Sequence, residues 1–128
     1  MTEFHSRQFV EALHAEQLRL HGGAPGVRSE DMLESAPARP LQKVAYGTPD
    51  RCELAAAYLF GIAKNHPFVD GNKRTAFAAA DLFLFFNGLS VEASQQDVIQ
   101  FVLMVAAGEI DEAGATAFFR DHTVPVES

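Results

Sequence analysis

The chain has 128 residues, 48% of them hydrophobic, and sets 17 Asp and Glu against 10 Lys and Arg for a net charge of −7. That sign excludes a generic binder of nucleic-acid backbones, and the length suits one domain that buries roughly two-thirds of the surface its unfolded form exposes. Cys52 is the only cysteine, so no intrachain disulfide forms, and Met1 to Val10 lacks the positive start and apolar stretch of a signal peptide; a cytoplasmic location is the expectation.

In chain order, Phe9, Val10, Leu13, Leu18 and Leu20 recur at helical spacing and predict a first helix from Arg7 to Leu20, ended by Gly22-Gly23 and Pro25-Gly26. Ser29 followed by Glu30 and Asp31 predicts a capped second helix, a short one stopped near Pro37 and Pro40. Thr48-Pro49-Asp50 predicts the start of a third, with Thr48 as cap and Pro49 in the first turn, running to about Asn65. Lys73 to Phe86 is so apolar that it reads as the helix at the centre of the core, stopped by Asn87-Gly88; Asp81 interrupts it, and the stretch falls short of the roughly 20 residues that span a bilayer. Ser94 and Asp111 predict caps for helices over Val98–Ala106 and Ala113–Arg120. The expectation is an all-α, single-domain bundle of about six helices over residues 1–122, with 123–128 as a flexible tail.

The informative stretch is His66-Pro67-Phe68-Val69-Asp70-Gly71-Asn72-Lys73-Arg74, a polar loop running into the most apolar helix. The first amides of a helix lack intrahelical partners and carry about half a positive charge, which makes its start an anion site. Gly71 allows close backbone approach, Asn72 can cap the helix or donate to the same anion, and Lys73 and Arg74 add two cations, the second with a fork matched to phosphate oxygens. His66 has the side-chain type that takes a proton near neutrality, and Asp70 is a hard oxygen ligand suited to Mg²⁺ shared with substrate phosphates. Phe68 reads as an apolar plug. The competing structural readings are that His66 merely ends a helix, that Asp70 pairs with Lys73 or Arg74 at the surface, and that Lys73 points to solvent. Asp81 needs a hydrogen-bond partner if buried, and His5, His14, His21 and His122 lack metal-site spacing and receive no role.

These nine residues resemble the signature of the Fic/Doc family, and Lys73 resembles its Doc, or death-on-curing, branch of bacterial toxins. The likeness extends to Gly22-Gly23, Pro25-Gly26, Val44-Ala45-Tyr46 and Thr75–Gly88. It implies that His66 deprotonates a target hydroxyl, that Asp70 holds Mg²⁺, and that Gly71, Asn72 and Arg74 bind the phosphates of ATP. Most nucleotidyl-transferring members have Gly where Lys73 stands and a second Arg where Phe77 stands; both departures remodel the phosphate site. The Doc branch implies a kinase that transfers the terminal phosphate to a threonine of elongation factor Tu, with Lys73 and Arg74 steadying the transferred group. Gly71 keeps AMP transfer as the alternative, and a degenerate regulatory module is the alternative outside enzymes. The resemblance further implies an antitoxin whose tail folds into a groove. Thr123 and Glu127 have the spacing of a self-inhibitory segment but precede Ser128 instead of Gly or Asn, so inhibition in trans is the expectation.

Overall fold

Ser6 opens the first helix, α1 (Arg7–His21), by accepting the Phe9 amide at 3.1 Å, and Gly22 closes it. The second helix, α2 (Glu30–Ala45), is capped by Ser29 as expected but runs through Pro37 and Pro40 instead of stopping there. Each interior proline costs roughly 3 kcal/mol. The opposing term is packing: Leu33, Ala36 and Pro40, spaced three and four apart, are buried on one face against the next helix, and Arg39 and Lys43 pair with Glu112 across the bundle.

The third helix, α3 (Arg51–Ala63), is capped by Asp50 and not by Thr48. Asp50 accepts the Glu53 amide at 2.8 Å while Glu53 accepts the Asp50 amide at 3.2 Å, a reciprocal box that satisfies two otherwise free donors. The fourth helix, α4 (Asn72–Phe86), starts at Asn72 on an N-cap Gly71 with φ 77°, and Asn87 and Gly88 end it. A three-residue strand, β1 (Leu89–Val91), leads to α5 (Gln95–Ala106), capped by Ser94, and α6 (Glu112–Asp121), capped by Asp111. The structure describes residues 1–127 in a computed structural model. Within them, the expected loose tail is instead a strand, β2 (Thr123–Pro125), antiparallel to β1 with Leu89 opposite Pro125 and Val91 opposite Thr123; Ser128 lies outside the described residues.

The centre of the core is α3, not α4. Its run Cys52–Ala63 is buried except at Glu53 and Phe60, and it packs against α2, α4, α5 and α6. Small residues allow that many neighbours: an added Cβ on Gly61 meets the Ala36 backbone of α2 at 3.2 Å. By contrast α4 buries Ala76, Ala79, Ala80, Phe83 and Leu84 but leaves Phe85 and Phe86 half exposed.

Replacing Gly61 with Val forces α2 and α3 apart and is expected to cost about 1–3 kcal/mol, read as a lower urea midpoint with an unchanged slope.

Candidate active site

Helix α3 ends at Lys64, and His66 turns the chain out of it with φ 49°, a left-handed conformation that costs a non-glycine residue about 1 kcal/mol or more. Arg28 holds this turn: its guanidinium donates to the His66 carbonyl and to the Asn65 carbonyl, the latter at 2.6 Å. The segment Gly26–Ser29 lies antiparallel along the loop. The Arg28 and Ser29 amides donate to the Pro67 carbonyl at 2.7 and 3.0 Å, and the Val69 amide donates to the Gly26 carbonyl at 3.0 Å.

Phe68 plugs the loop into the core with 1% of its surface exposed. Asn72 closes the loop around it: the Phe68 amide donates to Asn72 Oδ1 at 3.0 Å and Asn72 Nδ2 donates to the Phe68 carbonyl at 2.9 Å. This buried amide is therefore a clamp. Its side chain neither caps α4 nor points free for an anion; what it offers a ligand is the backbone N–H at the start of α4. Gly71 carries the left-handed turn there, and an added Cβ would crowd Leu18 at 3.3 Å, so the close approach needs glycine.

Asp70 does not pair with Lys73 or Arg74 in a salt bridge. Its carboxylate accepts the Gly71 amide at 2.9 Å and the Ala24 amide at 3.2 Å. Those two bonds, with smaller help from Arg74 and His14, hold its carboxyl below the usual range and keep it ionised. Among the described residues no three acidic, His or Cys side chains gather as a cation cage. A single hard, ionised oxygen donor fits Mg²⁺ that takes its other ligands from phosphates and water.

His66, Asp70, Lys73 and Arg74 share a cavity of about 810 Å³ that runs along α4. Lys73 and Arg74 are exposed where they line it, Arg74 only 3.5 Å from the Gly22 carbonyl. Phe77 and Ala78 of α4 and Val98, Ile99 and Val102 of α5 form the apolar part of its lining. Asp81 lines the same cavity, half-buried and, among the described residues, without the hydrogen-bond partner expected for it; burial raises its pKa. His66 moves the other way: burial first, then the cations Lys73, Arg28 and Lys64, lower its pKa. Its imidazole is therefore neutral at pH 7, the form that accepts a proton.

Sequence reading missed Arg28, which the pattern of its own segment does not single out, and His14. The His14 ring, 6% exposed, stacks on Phe68 with centroids 3.7 Å apart and planes 4° apart, and it donates from Nε2 to the Asp70 carbonyl at 2.8 Å.

A family model described as Fic/DOC family matches residues 4–84, a span that holds α1 to α3, the loop and most of α4. The chain belongs to the Fic/Doc family. Within this family it is similar to "Toxin Doc" of Mycolicibacterium smegmatis (strain ATCC 700084 / mc(2)155), 45% identical over 96 residues that cover 73% of this chain and 71% of that one. It is also similar to "Protein kinase doc" of Escherichia phage P1, 38% identical over 100 residues that cover 77% and 79% of the two chains. The matched region contains the entire loop and ends before α5, which contributes Val98, Ile99 and Val102 to the cavity.

Two outcomes follow from the electrostatics. Lys73→Met removes a cation that disfavours imidazolium, so the His66 pKa rises, and the acidic limb of a pH profile for transfer moves to higher pH. Asp81→Asn removes a carboxylate whose folded-state pKa lies above its unfolded value. In the parent protein that group favours the folded state fully only below its unfolded pKa and loses the contribution as pH rises through the folded one. The variant should therefore have the higher Tm at pH 7, with the gain vanishing in melts below about pH 4.

Proposed function

We propose that this Fic/Doc protein is a toxin-type protein kinase that transfers the γ-phosphate of ATP to a protein hydroxyl. The observation that carries the reading is the junction of the His66 imidazole with a helix start bearing two exposed cations, in one cavity. The phage P1 relative's name, "Protein kinase doc", supports the same choice. Lys73 stands where nucleotidyl-transferring members have Gly, and Phe77 leaves no second arginine along α4 to grip further phosphates.

In the proposed reaction the backbone amides of Asn72 and Lys73, with the Lys73 and Arg74 side chains, hold the phosphate tail and its developing charge. His66 takes the proton from the target hydroxyl as its oxygen bonds to the γ-phosphorus; the bond from that phosphorus to the β,γ-bridging oxygen breaks and ADP leaves. Asp70 is the residue to hold Mg²⁺, which neutralises phosphate charge when bound. The target proposed is a threonine of a translation factor such as elongation factor Tu, which makes the chain a growth inhibitor. The M. smegmatis relative's name, "Toxin Doc", accords with that role. Neutralisation falls to an antitoxin segment that folds on the apolar side of the cavity, where Ile99 and Leu103 of α5 stand half exposed.

AMP transfer is the second reading, favoured by Gly71 alone. Incubation with a cell extract and ATP labelled separately at the α or γ phosphate divides the two: label from γ only is expected, and label from α overturns the kinase. His66→Ala should lower transfer by about 10²–10⁴-fold with an unchanged Tm. Growth inhibition that survives in a folded, inactive His66→Ala protein would point to a binding module instead.

A further inference from the structure

The acid of the site is presented by a peptide unit that another helix holds from behind. Asp70 stands one residue before the N-cap of α4, and the first helical carbonyl is that of Gly71, which accepts the Thr75 amide at 3.1 Å. No helical amide reaches the Asp70 carbonyl. The group that does is His14 Nε2 of α1, at 2.8 Å and 56 residues away in the chain. A carbonyl oxygen only accepts, so Nε2 carries the proton.

The carbonyl of Asp70 and the amide of Gly71 belong to one rigid, planar peptide group and point in opposite directions. Anchoring the carbonyl therefore aims the amide, and that amide donates to Asp70 Oδ1 at 2.9 Å. The hydrogen bond from His14 is thus relayed through a stiff plate to the carboxylate. The second constraint is the stack: the His14 ring lies flat on Phe68, so the imidazole cannot turn away from the carbonyl without leaving the plug of the loop. Leu18, one turn further along α1, fills the space beside Gly71 and Gly23, where an added Cβ would meet it at 3.3 and 3.0 Å.

We propose that His14 is a positioning residue of the site: by donating from Nε2 to the Asp70 carbonyl while stacked on Phe68, it fixes the direction in which Asp70 presents its carboxylate. An apolar side chain would fill the same space; only a donor at that point controls the plate. The role in transfer rests on the phosphotransfer reading, whereas the geometry is tested without it.

Two substitutions separate donor from stack. His14→Phe keeps a flat ring over Phe68 and loses the donor. His14→Gln gives up the stack and retains an amide N–H at comparable reach. Amide hydrogen exchange in the unliganded protein reads the two donors to Asp70, Gly71 and Ala24, with Leu59 and Ile62 in the centre of α3 as internal controls. In His14→Phe, exchange at Gly71 and Ala24 should rise about tenfold, the size of one lost neutral hydrogen bond, with the controls unchanged. His14→Gln should keep most of that protection. The corresponding γ-phosphate transfer should fall about ten- to a hundredfold in His14→Phe and recover in His14→Gln, even where the glutamine protein has the lower Tm. Unchanged exchange in His14→Phe, lost protection at Gly71 and Ala24 in a folded His14→Gln, or activity that merely follows Tm in both variants overturns the proposal. The expected exchange pattern in a protein that transfers no phosphate supports the positioning and sinks the kinase reading instead.

Discussion

Phe68 is an apolar ring in the middle of a loop that has to stay polar and open on its other side, and the site depends on keeping the two sides apart. Burial of the ring anchors the loop, while the Asn72 amide satisfies both backbone groups of Phe68 that burial removes from water. Without that pair of bonds the plug would leave a donor and an acceptor unpaired, each at a cost of about 1–3 kcal/mol. With it, the five residues from Phe68 to Asn72 become a closed ring whose outer edge is Val69 and Asp70 and whose end is the start of α4. Asp70 lies within that ring, and the base and the cations flank it on either side.

Two other segments press the ring into place. Gly26–Ser29 pairs along Pro67 to Val69, Arg28 clamps the carbonyls that end α3, and His14 closes the back. The guanidinium of Arg28 has a double effect. It stabilises a strained turn at His66, and its charge adds to burial and to Lys73 in lowering the His66 pKa, so one residue bears on both the conformation and the proton affinity of the base. In a chain of net negative charge, Arg28, Lys64, Lys73 and Arg74 stand around the loop, and positive charge near His66 is useful for the base as well as for an anionic substrate.

The parts of this arrangement that are local in sequence were legible there. The caps at Ser29, Ser94 and Asp111, the break at Asn87-Gly88 and the loop before α4 depend on residues within about one turn of each other, and the structure carries all of them. The misses have a common physical cause. Pro37 and Pro40 read as stops because a proline's local cost is visible and the α3 surface that offsets it is not. Thr123–Pro125 is too short to declare itself a strand until Leu89–Val91 lies beside it. Asn72 is a fair anion ligand on paper, and only the position of Phe68 shows that its side chain is already engaged. His14 falls furthest outside local reading, since everything that gives it meaning lies more than 50 residues downstream.

Asp81 is where the sequence argument and the structure diverge most instructively. An acid in an apolar helix is expected to carry its partner with it, yet this one lines the cavity with none among the described residues, and desolvation raises its pKa. Folding alone gives no reason to keep such a group, because an uncharged residue of similar size is easier to bury. Its place is consistent with the rest of the cavity: Arg74, Phe77, Ala78 and Asp81 fall on one stripe of α4, cationic in the first turn, apolar in the middle and acidic further along the helix. A groove with that order of charges favours an occupant of opposite order, and the stability forgone at Asp81 is of the kind that proteins accept at sites and not in cores.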